Sequence, residues 1–555
     1  MNNNAAQTHG EPSIKGPEKD SVLKRIWKWL THQKDEAPPS LQHFLPGKIM
    51  LHIKHPADLT QAELAKDIGS FLKQSEEQQW KSQLTPPKPE AILTFPLKDD
   101  KGRVLSIVPV RTRDEKQDLV ELLITIHSEL PKEPKEPLHI SDNVTLNSVA
   151  PDWLIGSAPH GAHPPSPGSW PVEAPPPVED AWKFGLRDNQ GAQAPLPFTN
   201  GQGTRIHVAI LDTVPAKIDL DEAYKRWQNS RHLIDKLWGP NGKVQVHKDI
   251  YADIELMDYS PVGHHYLMPD HGLFVAGIIN AIAPEATLHL VKAFTPYGSG
   301  STETIAQGLL QVLQNPEIGR PLIVNCSFGL NIDDSSHLPA EIQSMITLFQ
   351  EIFNQLTNEK DVIVVAAAGN YIGQVGRPPA NYPAAFAEVI GVGALPKGFP
   401  PANGQYQAAN YSNLADDPPD TGYMAFGGEP GPGQGMLGIY TSEIPVYAEG
   451  CLSFLWRNLT GRGLDGWAGP GYLPPNPKAL TIDRIRYKPN TTGWAWWAGT
   501  SFAAPIVSGI LAKWCNQQQA VGNAITSRDA QQALKQLFQS NKTAEGEIVI
   551  PVGQP

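Results

Sequence analysis

The feature that most constrains the fold is a regular alternation of apolar runs and amphipathic stretches from Arg205 to Leu395. Short runs that are apolar throughout predict buried strands, and stretches with apolar residues at helical spacing predict helices. In chain order the alternation reads RIHVAIL, HGLFVAGIINAIA, TLHLVKAF, TETIAQGLLQVLQ, PLIVNCS, LPAEIQSMITLFQEIFNQL, DVIVVAAA and AEVIGVGAL. Such strands between helices are typical of a parallel sheet covered on both faces. We therefore predict an α/β fold with a mainly parallel sheet between two layers of helices, in which functional groups lie at the carboxyl ends of the strands.

The chain is too long for a single core, because 555 residues exceed the roughly 250 to 300 at which one hydrophobic core stops growing. Changes in composition indicate where its parts begin and end. A polar N-terminal segment contains SVLKRIWKWL, a predicted amphipathic helix that either docks on a partner or membrane surface or packs on its own protein. We assign residues 1–46 to this segment, 47–135 to a small α/β domain, 136–202 to a proline-rich linker, 203–545 to the main domain with an insertion at about 425–495, and 546–555 to a C-terminal tail.

Charge and cysteine content narrow the classes of function. A net charge of -12 and a pI of about 5.8 argue against nucleic-acid binding, which needs clustered Lys and Arg. The N-terminus lacks the basic and apolar regions of a secretory signal, and no apolar run is long enough for a membrane span. Three widely spaced cysteines predict neither zinc nor a disulfide framework. These features predict a cytoplasmic location.

Four short segments place a polar residue where a predicted strand ends or a predicted helix begins. Asp212 ends the strand in VAILDTVP, Asn370 closes DVIVVAAAGN, His271 opens HGLFVAGIINAIA, and Ser501 lies in GTSFAAP before an apolar helix. Taken alone, each has a simpler explanation, since Asp and Asn are common in turns and Ser is a common helix cap. His264 and His265 are alternative bases, but they lie in a polar stretch with no adjoining helix to orient them.

Together, these segments closely resemble the signature segments of the subtilisin-like serine proteases, in the chain order Asp, His, Ser. The resemblance extends from about Gly203 to Ala512. It implies the subtilisin-like three-layer fold, with Ser501 as nucleophile, His271 as general base and Asp212 as the carboxylate that orients the imidazole. It also implies that the amide of Asn370 donates a hydrogen bond to the oxyanion of the tetrahedral intermediate.

The chain departs from the family pattern at three positions near these residues. Val214 stands two residues after Asp212, where the family usually has Gly, and Leu273 and Phe274 stand where it commonly has Thr and His. The two replacements after His271 are apolar, so we expect local repacking without loss of the base.

Two further stretches resemble the segments with which the family binds an extended peptide. Small residues suit these places because a substrate backbone must approach closely. The predicted substrate-binding residues are Ser327, Phe328 and Gly329, which resemble the pairing strand, and Ala367, Ala368 and Gly369, which resemble a wall of the pocket for the residue before the scissile bond.

The resemblance therefore predicts a serine endopeptidase that acts on a protein or peptide through an acyl-enzyme intermediate. An inactive interaction module on the same fold is the alternative. The small domain resembles in position the pro-domain common in this family, and the other possibility is a permanent recognition domain that binds a regulatory partner. The insertion either shapes a cleft or fills a lobe. No cofactor is predicted; structural calcium is frequent in the family, but no acidic loop here has the spacing to assign it.

Overall fold

The structure is a computed structural model of the whole chain, which divides into two compact units, Met1–Gln42 and His43–Pro555. All described residues belong to the second unit. They are residues 44–74, 79–114, 119–129, 138–157, 170–177, 184–187, 193–196, 198, 205–215, 225, 244–247, 267–330, 340–359, 361–371, 376–396, 406–415, 422–447, 485–523 and 525–554. The helix predicted in SVLKRIWKWL lies outside them, as do His264 and His265.

The helices and strands are numbered in chain order. The helices are α1 (Gln61–Lys73), α2 (Leu119–Glu129), α3 (His271–Ile282), α4 (Thr302–Gln314), α5 (Ala340–Asn358), α6 (Thr500–Ala520) and α7 (Ser527–Phe538). The first strands are β1 (Phe44–Pro56), β2 (Leu84–Thr85), β3 (Leu93–Lys98), β4 (Arg103–Thr112), β5 (Leu138–Ser141), β6 (Val144–Ser157), β7 (Val172–Glu173), β8 (Gly185–Arg187), β9 (Gln193–Ala194), β10 (His207–Asp212), β11 (Val244–His247) and β12 (Thr287–Lys292). They are followed by β13 (Ser299–Ser301), β14 (Leu322–Cys326), β15 (Phe328–Gly329), β16 (Val362–Ala367), β17 (Ile390–Leu395), β18 (Tyr423–Phe426), β19 (Met436–Ile439), β20 (Ile444–Tyr447), β21 (Ile485–Lys488), β22 (Trp494–Trp497), β23 (Ile548–Val549) and β24 (Val552–Gly553).

A parallel sheet with the strand order β11-β12-β10-β14-β16-β17-β18-β23 forms the centre of the main domain. Alternate residues of its strands face opposite cores, as Val208 and Ile210 face one and Ala209 and Leu211 face the other. Helices α3, α6 and α7 cover the first face, and α4 and α5 cover the second. The predicted three-layer α/β fold is confirmed, because strands that are apolar on both faces are buried on both.

An antiparallel sheet precedes the main domain. Its central order is β6-β1-β4-β2, with β5 on β6 and β3 on β4. Helices α1 and α2 bury one face, which includes Ile49 and Leu51 of β1. The other face, which includes Met50, packs against α4 and α5 of the main domain in one continuous apolar core.

The segment assigned to the linker is partly built into these sheets. Strands β5 and β6 occupy residues 138–157, so assigning residues from 136 onward to a proline-rich linker was wrong over this stretch. Further along, β7 pairs with β22 and β8 pairs with β24, and Ala174 and Phe184 are buried in the main core. Proline interrupts the alternation of apolar residues by which a strand is recognised in a sequence. The other residues of such a segment can still form backbone hydrogen bonds with a neighbouring strand.

The region assigned to the insertion begins inside a strand of the central sheet, since β18 pairs with β17 and β23. Its described remainder forms small antiparallel pairs, β19 with β22 and β20 with β21. We call residues 436–447 and 485–497 the lobe. The side chains of Trp494 and Trp497 are buried there against α3 and α6. Among the described residues, no helix combines the length and the apolar character that a membrane crossing requires.

Candidate active site

The carboxyl end of β10 and the first turn of α3 meet closely at the edge of the central sheet. Asp212 is the last residue of β10, and His271 is the first of α3. Gly272 permits the approach, because a Cβ atom there would lie 2.3 Å from the carbonyl oxygen of Thr213 and 2.8 Å from Cβ of Asp212. The His-Gly pair in the sequence is thus explained by packing as well as by chemistry.

Asp212 and His271 form a buried hydrogen-bonded pair. Nδ1 of His271 lies 2.8 Å and 2.9 Å from the two carboxylate oxygens of Asp212, and both side chains are at most 1 % exposed. The backbone N–H of Thr213 donates to Oδ1 of Asp212 at 2.6 Å. An Nδ1–H that donates to the carboxylate leaves Nε2 as the basic nitrogen, and Nε2 has no hydrogen-bond partner among the described residues.

Ser501 lies in the first turn of α6, and its hydroxyl donates to the carbonyl oxygen of Ser327 at 3.2 Å. The hydroxyl of Ser327 in turn donates to the carbonyl oxygen of Ser501 at 2.9 Å. No hydrogen bond joins Ser501 to His271 in this structure. The two residues are nevertheless neighbours in the core, because the ring of Phe502, the next residue in the chain, lies 5.3 Å from the imidazole.

Asn370 lies where β16 leads toward the N-terminus of α6. Its Oδ1 accepts from the N–H and the hydroxyl of Thr500 at 3.0 Å and 3.1 Å, and the hydroxyl of Thr500 accepts from the N–H of Gly369 at 3.2 Å. These bonds fix the orientation of the amide, whose Nδ2 would lie 3.5 Å from a Cβ atom added to Gly499 at the start of the helix. Gly369 has a φ of +105°, which glycine adopts without strain.

Aromatic rings enclose His271. Trp497 packs edge-to-face on the imidazole at 5.2 Å, and Phe274 contacts Phe502 and Trp497 at 4.7 Å and 5.7 Å between centroids. The apolar replacement at Phe274 is accommodated by this cluster, as expected from the sequence. Sequence reasoning missed Trp497; its only signal was the unusual aromatic density of GWAWWAG, which precedes GTS.

The strand predicted to pair with a substrate is already paired. Phe328 lies opposite Ser157 and Gly329 opposite Gly156, both at the end of β6. On its other side the same end of β6 pairs with β13, with Gly156 opposite Ser299. The chain's own β6 therefore occupies the groove between β13 and β15.

Asn381 stands between the two predicted substrate-binding stretches. A Cβ atom added to Gly329 would lie 2.9 Å from Cβ of Asn381, and one added to Gly369 would lie 2.3 Å from its Nδ2. Asn413 fixes this amide by donating to its Oδ1 at 3.0 Å. Ala367 and Ala368 are buried in the adjoining core. Sequence reasoning missed Asn381, although it lies within the stretch that resembles the family.

The described residues contain no group of three or more His, Cys, Asp or Glu side chains arranged to hold a metal ion.

Comparison with known proteins identifies the family of the chain. The family model of the subtilases, peptidase family S8, matches residues 203–547, which is more than half of the chain. This chain belongs to the subtilase family.

Several curated proteases are similar over part of their length. The minor extracellular protease Epr of Bacillus subtilis (strain 168) is 29 % identical over 220 residues, which are 36 % of this chain and 30 % of Epr. The intracellular serine protease of Paenibacillus polymyxa is 25 % identical over 213 residues, 37 % of this chain and 53 % of that protein. Subtilisin Savinase of Lederbergia lenta is 32 % identical over 133 residues, 22 % of this chain and 42 % of Savinase. The chain thus spans between 30 % and 53 % of the length of these relatives.

Among solved structures, a lanthipeptide protease matches 63 % of this chain and 86 % of its own, with 18 % identity and a TM-score of 0.37. Sphericase matches 63 % of this chain and 87 % of its own, with 19 % identity and a TM-score of 0.34.

Proposed function

We propose that this chain is a serine endopeptidase in which Ser501 attacks the peptide carbonyl, His271 accepts the serine proton and Asp212 holds the imidazole. The observation that carries the proposal is the buried Asp212–His271 pair, whose Nε2 has no partner among the described residues. A neutral imidazole fixed through Nδ1 is suited to take a proton at Nε2 and to return it.

The first step requires the Ser501 hydroxyl to turn from the Ser327 carbonyl oxygen to Nε2 of His271. Catalytic hydrogen bonds are often long or misaligned before substrate binds, so the present contact of Ser501 is compatible with this step. Oγ of Ser501 then bonds to the carbonyl carbon while His271 gains the proton. His271 gives that proton to the leaving amine, and water releases the acyl group by the same route in reverse.

The developing oxyanion needs donors that are already in place. The backbone N–H of Ser501, at the positive end of α6, and Nδ2 of Asn370 are the proposed donors. The hydrogen bonds from Thr500 to the amide oxygen support this assignment, because they hold the amide in one orientation. Loss of one such donor typically lowers turnover by about 10² to 10³.

An extended peptide substrate would pair with β13 and β15, the place that β6 takes in the full chain. The pairing of Gly156 with Ser299 and Gly329 supports this proposal, since the groove accepts a strand on both edges. We infer that residues 44–157 keep the full chain latent. Removal of this part as a pro-domain and its release by a regulatory partner remain the two ways to open the groove.

The cytoplasmic location stays a prediction. Of the relatives named above, one is an intracellular protease and another an extracellular one.

Labelling with a fluorophosphonate probe tests the activity, with Ser501→Ala as the control. The full-length protein is compared with Gly156→Pro, because proline removes the strand's N–H and clashes in a two-sided ladder. We expect labelling that depends on Ser501 and is faster in Gly156→Pro. If neither the native protein nor Gly156→Pro is labelled at Ser501, the chain is an inactive interaction module.

A further inference from the structure

The carboxylate of Asp270 is buried beside the general base and bonded to a distant part of the chain. Its Oδ2 accepts from the N–H of Thr441, from the hydroxyl of Thr441 at 2.7 Å and from the N–H of Ser442 at 2.8 Å. The other oxygen, Oδ1, has no hydrogen-bond partner among the described residues. Asp270 is fully buried and directly precedes His271 at the start of α3.

This arrangement is unusual for its position. Asp at the start of a helix normally caps its own first turn, but the side chain of Asp270 makes no such bond. Burial raises the pKa of the Asp270 carboxyl, and the hydrogen bonds from Thr441 and Ser442 only partly offset that rise. Burying a carboxyl group costs free energy. Because the side chain of Asp270 caps no helix, helix capping does not explain why a buried Asp stands at this position.

The lobe holds the segment before His271 at two more points. The N–H of Leu267 donates to the hydroxyl of Tyr487 at 2.9 Å, and the hydroxyl of Tyr440 donates to the carbonyl oxygen of Leu267 at 3.4 Å. The ring of Tyr440 also packs edge-to-face on Trp497 at 5.7 Å, and Trp497 packs on His271. Residues 267–271 are thus fixed by the lobe from several sides.

We propose that Asp270 is a positioning residue for the general base, which fastens the first turn of α3 to Thr441 and Ser442 of the lobe. The inference rests on the proposed protease function. It gives the lobe a role in catalysis that needs no contact with substrate, because the lobe sets where the imidazole stands relative to the Ser501 hydroxyl.

The expected effect follows from the sensitivity of proton transfer to geometry. Asp212 holds one edge of the His271 ring, but the position of the ring along the helix axis depends on the first turn of α3. A displacement of about 1 Å in a reacting group can cost about 10² in rate. We therefore expect Asp270→Ala to label at Ser501 about 10 to 100 times more slowly.

The experiment measures the second-order rate of fluorophosphonate labelling across pH in full-length protein, with and without Gly156→Pro. Asp270→Asn is the rescue variant, since its amide oxygen can still accept hydrogen bonds from Thr441 and Ser442. We expect it to recover most of the rate without moving the pH midpoint of labelling. A lowered midpoint in Asp270→Asn would mean that the charge of Asp270 acts on His271, and would overturn a purely positional role.

Thr526→Ala is the matched control for stability. Thr526 caps α7 beside the start of β16, the opposite end of that strand from Asn370, by accepting from the N–H of Asp529, and losing such a cap typically costs about 1 kcal/mol. We expect Thr526→Ala to lower the melting temperature and to label at the native rate. A native labelling rate in Asp270→Ala would contradict the proposal. It would also be contradicted if the labelling rates of Asp270→Ala and Thr526→Ala both fell only in proportion to the fraction of folded protein.

Thr441→Val keeps the test decisive if Asp270→Ala does not fold. It removes one of the three donors and keeps both backbone N–H groups, so a smaller slowing of the same kind is expected, and no slowing would contradict the proposal. Absence of labelling in the native protein and in Gly156→Pro would instead refute the protease function itself.

Discussion

Asn381 bounds the space that we propose as the pocket for the residue before the scissile bond. Its side chain lies against both Gly329 and Gly369, and Asn413 holds its amide in place. A substrate side chain that entered between these two glycines would meet a fixed amide instead of open space. The residue before the cut is therefore expected to be small and uncharged.

Replacing Asn381 with glycine tests this limit. We expect native protein to favour Ala, Ser or Gly before the cut in a peptide library, and Asn381→Gly to accept large apolar residues with a rise of about tenfold or more in kcat/KM. An apolar side chain gains about 1 to 3 kcal/mol in a pocket that fits it. Unchanged size preference in Asn381→Gly, with Asn381→Ala measured alongside, would place the floor of the pocket elsewhere.

The sequence identified some site residues better than others for a physical reason. Asp212, His271, Asn370 and Ser501 stand at ends of strongly patterned strands and helices, and the resemblance of these segments to the family signatures made them candidates. Their meeting depends on the topology of the sheet, and in the structure Asp212 and His271 are hydrogen-bonded to each other. Asp270 and Asn381 act through partners far along the chain, and local pattern carries no trace of such contacts.

Among the strands, some are predicted by local sequence and others depend on pairing with distant parts of the chain. Strands β10, β14 and β16 follow from continuous apolar runs, which are buried on both faces. In strand β6, Asn147, Pro151, Asp152 and Gly156 are of types that are depleted in strands, and they interrupt its apolar residues. It forms because β1 pairs along one side and β13 and β15 pair near its end. Pairing between strands that lie far apart in the chain cannot be predicted from a short stretch of sequence.

Strand β1 and helix α5 are also joined by charge. Glu351 of α5 lies 3.1 Å from Nε2 of His52 and forms an ion pair with Lys54, both on β1. Burial alone would raise the pKa of Glu351, but the hydrogen bonds and charges of His52 and Lys54 outweigh it and lower the pKa to about 2. A carboxyl whose pKa is lower when folded stabilises the fold above its unfolded pKa. That contribution is lost as the pH falls from about 4.5 toward 2.

We therefore expect Glu351→Gln to melt below the native protein at pH 6, and the difference to shrink as the pH falls from about 4.5 to 3. Thermal unfolding at a series of pH values measures it, with Glu359→Gln, near the end of α5, as the control for a general change in charge. A difference in melting temperature that stays constant over this range would show that the ion pair does not link β1 to α5.

Across the unit His43–Pro555, strand β6 extends the antiparallel sheet to β13 and β15 of the main domain. Strand β6 is part of the antiparallel sheet through β1 and ends in the groove of the main domain between β13 and β15. The interface behind it is also apolar, since Met50, Phe95 and Ile107 share a core with α4 and α5. Such an interface does not dissociate readily on its own, because burying apolar area stabilises it by about 25 cal/mol per Å².

This geometry limits where a maturation cut can fall. Ser157 is paired with Phe328, and Trp170 packs against the main core, so a cut that frees the groove and leaves the main domain intact falls after Ser157 and before Trp170. We expect mass spectrometry of incubated protein to detect a new N-terminus in that interval, and Ser501→Ala to stay intact under the same conditions. Loss of residues 1–157 should then raise fluorophosphonate labelling. Strand β6 fills the groove and is held there by its pairing with β1, so removal of the whole antiparallel sheet opens the groove. An active native protein that keeps its full mass would assign residues 44–157 to a permanent regulatory domain, opened by a partner and not by cleavage.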